Sequence, residues 1–273
     1  SETDPDARSM AITSRHPRVV GYNVQSVVET EHHLIVTHEV TNIGTDLSDM
    51  ANQARDALGV EKLDVVADKG YYKGEEIVAC EDDGITVTLP KVTTSNAKAR
   101  GRFDRSAFIY DAEQDLYVCP AGEHLMPRMT RHENGKVLHR YWTTACATCP
   151  VKHHCTPSKE RRISRWERED VLDRVQQRLE DNPDKMSMRR QTVEHPFGTI
   201  KAWMGATHFK MRTLKHVATE MALHVLAYNM MRVIAIVGTT KLIKAIEALL
   251  FWFAAIVTTE QAVRGPQRPC IAT

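Results

Sequence analysis

No uninterrupted apolar run in these 273 residues reaches the roughly 18 that a membrane-spanning helix needs. The longest, Ala248 to Val257, has the length of a buried core helix. No basic-then-apolar leader opens the chain, so export is not expected. Neither a repeating glycine pattern nor a sustained heptad is present, which excludes collagen and coiled coil. Excess charge is also missing, with a formal net of only +1. What is present is 42% hydrophobic and 26% charged residues, enough for a packed core and against global disorder. The first residue is Ser1, in the middle of a polar phrase, and the chain reads as a piece whose true start lies upstream.

The small net charge hides an asymmetry. Residues 1–90 hold 7 Lys and Arg against 17 Asp and Glu, whereas residues 91–168 hold 15 against 8. Residues 169–273 hold 14 against 10. Acidic clusters suit metal ions and Arg-rich stretches suit phosphate backbones, although solvated faces of opposite sign give the same count.

Periodicity predicts an α/β beginning. Val19–Glu29 and Leu34–Thr41 read as a β-hairpin around Thr30–His33. Leu47–Leu58 repeats at helical spacing, Leu63–Ala67 is a short strand, Glu75–Asp83 a helix closed by Gly84, and Ile85–Leu89 another strand. From Lys91 to about Arg168 regular periodicity gives way to scattered polar residues and cysteines, which reads as an insertion with its own small fold. Helices are expected over Trp166–Leu179, Met186–Trp203, Lys215–Val237 and Leu242–Thr258. The expected divisions are 1–90, 91–168, 169–238 and 239–273.

Four of the six cysteines, Cys119, Cys146, Cys149 and Cys155, fall in the insertion. A Cys-x2-Cys pair lets two thiolates converge on one ion, and two more complete the tetrahedron that Zn²⁺ prefers. His124, His153 and His154 are near enough in sequence to replace one sulfur. Reduced free thiols and disulfides are the alternatives. Cys80 reads as a core thiol and Cys270 as incidental.

Two carboxylates stand out. Asp68 follows a strand in an α/β pattern, a usual position for a site, and equally a position for a helix cap. Glu194 would share one helical stripe with Arg190 and Lys201, within about 40° at 100° per residue. Such a stripe suits a metal beside a phosphate, or a plain surface salt-bridge row. Pro196 is expected to kink the helix or start a new one. Arg161, Arg162, Arg165 and Trp166 form an aromatic-bearing basic cluster, either a nucleic-acid contact or the basic start of a solvated helix.

These phrases together resemble bacterial insertion-sequence transposases of the DDE type. Val66–Tyr72 (VADKGYY) resembles their second-carboxylate motif and Val193–Lys201 (VEHPFGTIK) their final-glutamate motif. Arg190, Glu194 and Lys201 meet the family's Arg-x3-Glu-x6-Lys spacing, while Ser187 stands where the family has tyrosine. Thr3–Arg8, Gly21–Gln25, the cysteine-bearing insert and His224–Asn229 are also similar. The resemblance implies an RNase H-like mixed sheet flanked by helices, interrupted by the Cys-rich insertion and followed by a helical C-terminus. It implies Asp68 and Glu194 as ligands of Mg²⁺ or Mn²⁺, with Arg190 and Lys201 holding phosphate or steadying the glutamate. It further implies DNA partners (transposon ends and target), a homo-oligomer, no membrane, and a cytoplasmic, nucleoid-associated location. The family's first aspartate belongs to a strand that would precede Thr3. Asp4 and Asp6 are the only early acidic candidates for its role, with no strand pattern around them. The expected piece is therefore a truncated transposase, or a catalytically inactive DNA-binding remnant with a structural zinc site.

Overall fold

The computed structural model describes residues 3–10, 19–44, 46–92 and 95–250. The chain divides into two compact units, one formed by Ser1–Gly44 with Met188–Thr273 and the other by Thr45–Ser187.

The contiguous unit opens as its periodicity predicts. Helix α1 (Leu47–Leu58) starts where the Asp46 carboxylate accepts from the Asp49 N–H and ends at Gly59 with φ +64°. It buries Leu47, Met50, Ala51 and Ala54. Strands β5 (Leu63–Val66) and β6 (Ile85–Thr88) are parallel, as a strand–helix–strand unit through α2 (Gly74–Asp82) allows. Ile77, Cys80, Ile85, Val87 and Leu89 are completely buried between them. Each such aliphatic side chain contributes about 1.5–3 kcal/mol by leaving water. Helix α3 (Glu169–Asp181) covers the same core with Val171, Leu172 and Val175. Trp166, expected to begin this helix, instead ends a strand, β11 (Ile163–Trp166).

The insertion is more regular than its sequence suggests. β7 (Ile109–Asp111), β8 (Leu116–Val118), β9 (His124–Glu133), β10 (Lys136–Trp142) and β11 form one antiparallel sheet in that order. Asn134 and Gly135, both at positive φ, make the two-residue turn between β9 and β10. Pro127 cannot donate to the ladder, and the register slips beside it, where Met129 faces Arg140 but Pro127 faces Tyr141. Phe108, Tyr117, Leu125, Tyr141 and Ile163 form a separate core.

In the other unit, the expected strand Val19–Glu29 is broken at Tyr22. β2 (Val19–Gly21) pairs with β1 (Arg8–Met10), and β3 (Asn23–Val28) forms the antiparallel hairpin with β4 (Ile35–Thr41). The Glu29 carboxylate ties the hairpin turn by accepting from the N–H groups of Glu31, His32 and Leu34. Helix α4 (Lys185–Gly198) passes into a π turn (Thr199–Trp203), and α5 (Leu214–Val237) follows. Val217, Met221, Val225 and Tyr228 of α5 join Ile35, Val40 and Ile200 in the core. By length and composition alone α5 would suffice to cross a membrane. Here its Asn229 amide reproduces a strand pairing, accepting from the Ile35 N–H (3.0 Å) and donating to the Ile35 carbonyl (2.9 Å). Residues 239–250 are helical, earlier than the expected start at Leu242. The remainder of that expected helix and Cys270 lie outside the described residues.

Among the described residues the strands fall into four separate sheets, the antiparallel β3–β4 pair and the parallel β5–β6 pair belonging to different ones. The fold class is α/β.

Candidate functional site

Asp68 sits directly after β5. Its neighbour Ala67 extends the ladder, donating to the Thr88 carbonyl at 3.0 Å. The Asp68 carboxylate caps the short 3-10 turn Lys69–Tyr71, one oxygen accepting from the Lys69 N–H at 2.8 Å. It does not cap α2, which starts at Lys73 without a side-chain cap. One oxygen is thus engaged locally, on a partly exposed side chain at the strand end.

Glu194 lies on α4. Pro196 does not start a new helix, since α4 runs through it to Gly198. The disturbance comes one step later, as the π turn, where the Met204 N–H reaches back five residues to the Thr199 carbonyl. The wider turn takes Lys201 off the straight-helix phase that the sequence implies, and its ammonium lies 5.8 Å from the centroid of the Phe197 ring. Arg190, Glu194 and Lys201 are exposed, and none forms a hydrogen bond or ion pair with a described residue. The salt-bridge row is therefore not made, and neither oxygen of the Glu194 carboxylate is bonded to a described residue.

The neighbour of Glu194 is firmly held, a feature sequence reasoning passed over. His195 Nδ1 stands 2.9 Å from the Tyr228 hydroxyl, which lies 2.7 Å from the His33 carbonyl. A carbonyl only accepts, so the hydroxyl donates to it and Nδ1 carries the proton that reaches the tyrosine oxygen. The His195 ring stacks on His33 with centroids 5.1 Å apart. Burial, the Arg232 guanidinium and His33 push the His195 pKa below its ordinary value, keeping the ring neutral at pH 7. Tyr228 and Asn229 carried a visible signal, since both belong to the His224–Asn229 phrase. The structure gives that phrase its physical task, which is to clamp α5 to the β3–β4 hairpin and α4 to α5.

Asp4 and Asp6 have a structural assignment. Asp4 accepts from the Tyr22 hydroxyl (2.8 and 2.9 Å) and the Thr213 N–H (3.3 Å), and Asp6 from the Leu214 N–H (2.9 Å). Thr213, at φ +69°, offers no side-chain cap, so these two carboxylates cap α5 and meet the positive end of its dipole. Burial raises the Asp4 pKa, but the hydrogen bonds from Tyr22, Asp6 and Thr213 outweigh it and the net direction is down.

The basic cluster of the insertion also disperses. Arg165 is buried, bonded to Asp173 at 2.7 Å and stacked 3.7 Å from the Tyr110 ring centroid. Trp166 closes on Gly74, with its Cζ3 3.2 Å from where a Cβ would stand. Arg162 pairs with Glu160 at 2.8 Å and lies over Trp142. Arg165 and Trp166 are thus packed inward while Arg162 stays exposed on its ion pair, so the cluster does not form one solvent-facing surface.

All four insertion cysteines are free thiols and line one cavity. His124, His153 and His154 are not among its walls. Among the described residues no group of three or more His, Cys, Asp or Glu side chains is disposed to hold a metal ion.

Residues 118–234 match the family model described as Transposase DDE domain. The match takes in Arg190, Glu194, Lys201 and the four insertion cysteines, and stops short of Asp68. No curated protein and no solved structure matches the chain.

Proposed function

We propose that this chain, whose residues 118–234 match the Transposase DDE domain model, is a DDE-type transposase in which Asp68 and Glu194 are two of the carboxylates of a metal-dependent DNA strand-cleaving and strand-transferring centre on an RNase H-like core. The observation that carries this reading is the free carboxylate of Glu194, inside the matched segment and beside a locked His195. Carboxylate oxygens are hard donors that suit Mg²⁺ or Mn²⁺. Asp68 and Glu194 would hold such ions, which when bound supply activation of water or a 3′-hydroxyl and stabilisation of the departing oxygen. Arg190 and Lys201, neither ion-paired with a described residue, would hold the DNA phosphate. His195 fixes the rotation of α4 about its axis and so the direction in which Glu194 projects. A cytoplasmic location, DNA ends and target as partners, and self-association follow from the same reading, as do the divisions 1–90, 91–168, 169–238 and 239–273.

A specific observation favours a second reading. Asp4 and Asp6, the early candidates for the third carboxylate, are both engaged in capping α5. A site with two carboxylates fixes a metal pair poorly, which leaves a DNA-binding remnant without cleavage. Supercoiled plasmid with Mg²⁺ or Mn²⁺ separates the two. Nicking by the chain, abolished in Asp68→Ala/Glu194→Ala, supports the first. DNA retention at low salt without nicking supports the second.

A further inference from the structure

Three of the four insertion cysteines lie between β10 and β11, and Cys119 lies in the turn after β8. Between Trp142 and Ile163 the backbone forms only two short 3-10 turns, Thr144–Ala147 and Lys152–His154. Three separate stretches meet there. Cys119 heads a tight turn, with Gly122 at φ +80° donating to the Cys119 carbonyl at 2.8 Å and the Cys119 N–H reaching the Glu123 carbonyl at 2.9 Å. Cys146 lies on the first 3-10 turn, and Cys149 accepts at its carbonyl from the Lys152 N–H (3.2 Å). Cys155 ends the second turn, its N–H bonded to the Lys152 carbonyl at 2.9 Å. Cys119 and Cys155 also touch the insertion's aromatic core.

The four thiols share a cavity of about 20 Å³, room for one water-sized guest. Apart from the sulfurs, much of its wall is apolar, including Phe103, Phe108, Leu125 and Val151. Thiols are weak hydrogen-bonding groups, so a water there would be poorly satisfied. A soft-ligand cation would not be. Lys152 and Arg161 also line the cavity and supply positive charge beside it. Four thiolates around a divalent ion carry two net negative charges, which those cations offset. The thiols line a common wall without forming a finished coordination sphere, and metal entry requires them to turn inward and shed protons.

We propose that Cys119, Cys146, Cys149 and Cys155 close on one Zn²⁺ in this cavity, as a structural site that knots the turn after β8 to the segment 143–162. This proposal does not depend on the cleavage reading, because the site is separate from Asp68 and Glu194 and has no open position for a reactant.

The test is metal content of the full chain after exposure to zinc sulfate, by mass spectrometry. The expected result is about one zinc per chain, retained in Asp68→Ala/Glu194→Ala and lost in Cys146→Ser/Cys149→Ser. Cobalt chloride added to the metal-free wild-type chain should produce thiolate-to-metal charge-transfer absorption and the visible bands of a tetrahedral ion. Cys119→His, which keeps a ligand, should hold about one metal with a shifted cobalt spectrum. Zinc well below one per chain, no cobalt spectrum and four thiols freely open to a thiol reagent would overturn the proposal. So would disulfides among the four, and the cobalt arm decides the matter even where the double serine variant fails to fold.

Discussion

At the scale of single residues, the informative side chains are those that make no hydrogen bond or ion pair with a described residue and those that bind at great sequence distance. Glu194, Arg190 and Lys201 belong to the first kind, and their exposure is consistent with groups kept for a ligand. Tyr228 belongs to the second, bridging His195 and His33 through one hydroxyl. Tyr228→Phe removes that bridge and leaves the His33 carbonyl and His195 Nδ1 without their partly buried partner. It should cost about 1–3 kcal/mol in a denaturant melt and reduce any nicking without abolishing DNA retention. An unchanged midpoint would remove the locking role given to His195. Glu220 offers a pH prediction. Burial raises its pKa, the N–H groups of Lys210 and Met211 lower it, and the net direction is down. A carboxylate depressed in the folded state stabilises above its unfolded pKa, and that contribution is lost as pH falls through the folded value. Thermal melts from pH 7 downward should therefore hold steady and then fall below about pH 4, and Glu220→Gln should flatten that fall. The sequence could single out Asp68 and Glu194 as candidates because motif spacing survives in one dimension. It hid His195 and the caps Asp4 and Asp6, because their partners lie 33 and more than 200 residues away.

At the scale of elements, α1, β5, α2 and β6 were legible to within a residue or two, because each has clean periodicity and a cap or a glycine at its end. The insertion was not. β9 is exposed along most of its length and so shows no alternation, although Asn134–Gly135 was a turn signal that could have been used. α4 misled for a different reason. A proline inside a helix normally marks a break, yet here Pro196 is buried within it and the irregularity emerges as the π turn. The N-terminus of α5 is the element with a direct test. Capping by Asp4 and Asp6 predicts that Asp6→Ala lowers the melting temperature, while Asp6→Asn, which still accepts from the Leu214 N–H, restores most of it. Equal losses in the two variants would show that charge, and not hydrogen bonding, is what α5 requires.

At the scale of the whole molecule, the charge pattern and the two-unit division set the expectations. The excess of Lys and Arg over residues 91–168 predicts DNA retention that weakens steeply with salt. Gel shifts between about 50 and 200 mM salt should show a loss of at least tenfold. A flat response would mean that the insertion's cations are spent internally, as Arg165 already is. The fold class was legible from the alternation of strands and helices, whereas the division was not. Nothing in composition announces that Ser1–Gly44 and Met188–Thr273, on either side of the other unit in sequence, belong to one unit. The Asn229 clamp on Ile35 gives that division a consequence during synthesis. The ribosome must add 194 residues after Ile35 before its partner exists. At about 5–20 residues per second, that is roughly ten to forty seconds during which the β3–β4 hairpin has no helix to cover it. The contiguous unit emerges complete in the meantime. Its neighbour therefore folds last, and the hairpin is the surface a chaperone would have to shield while it waits.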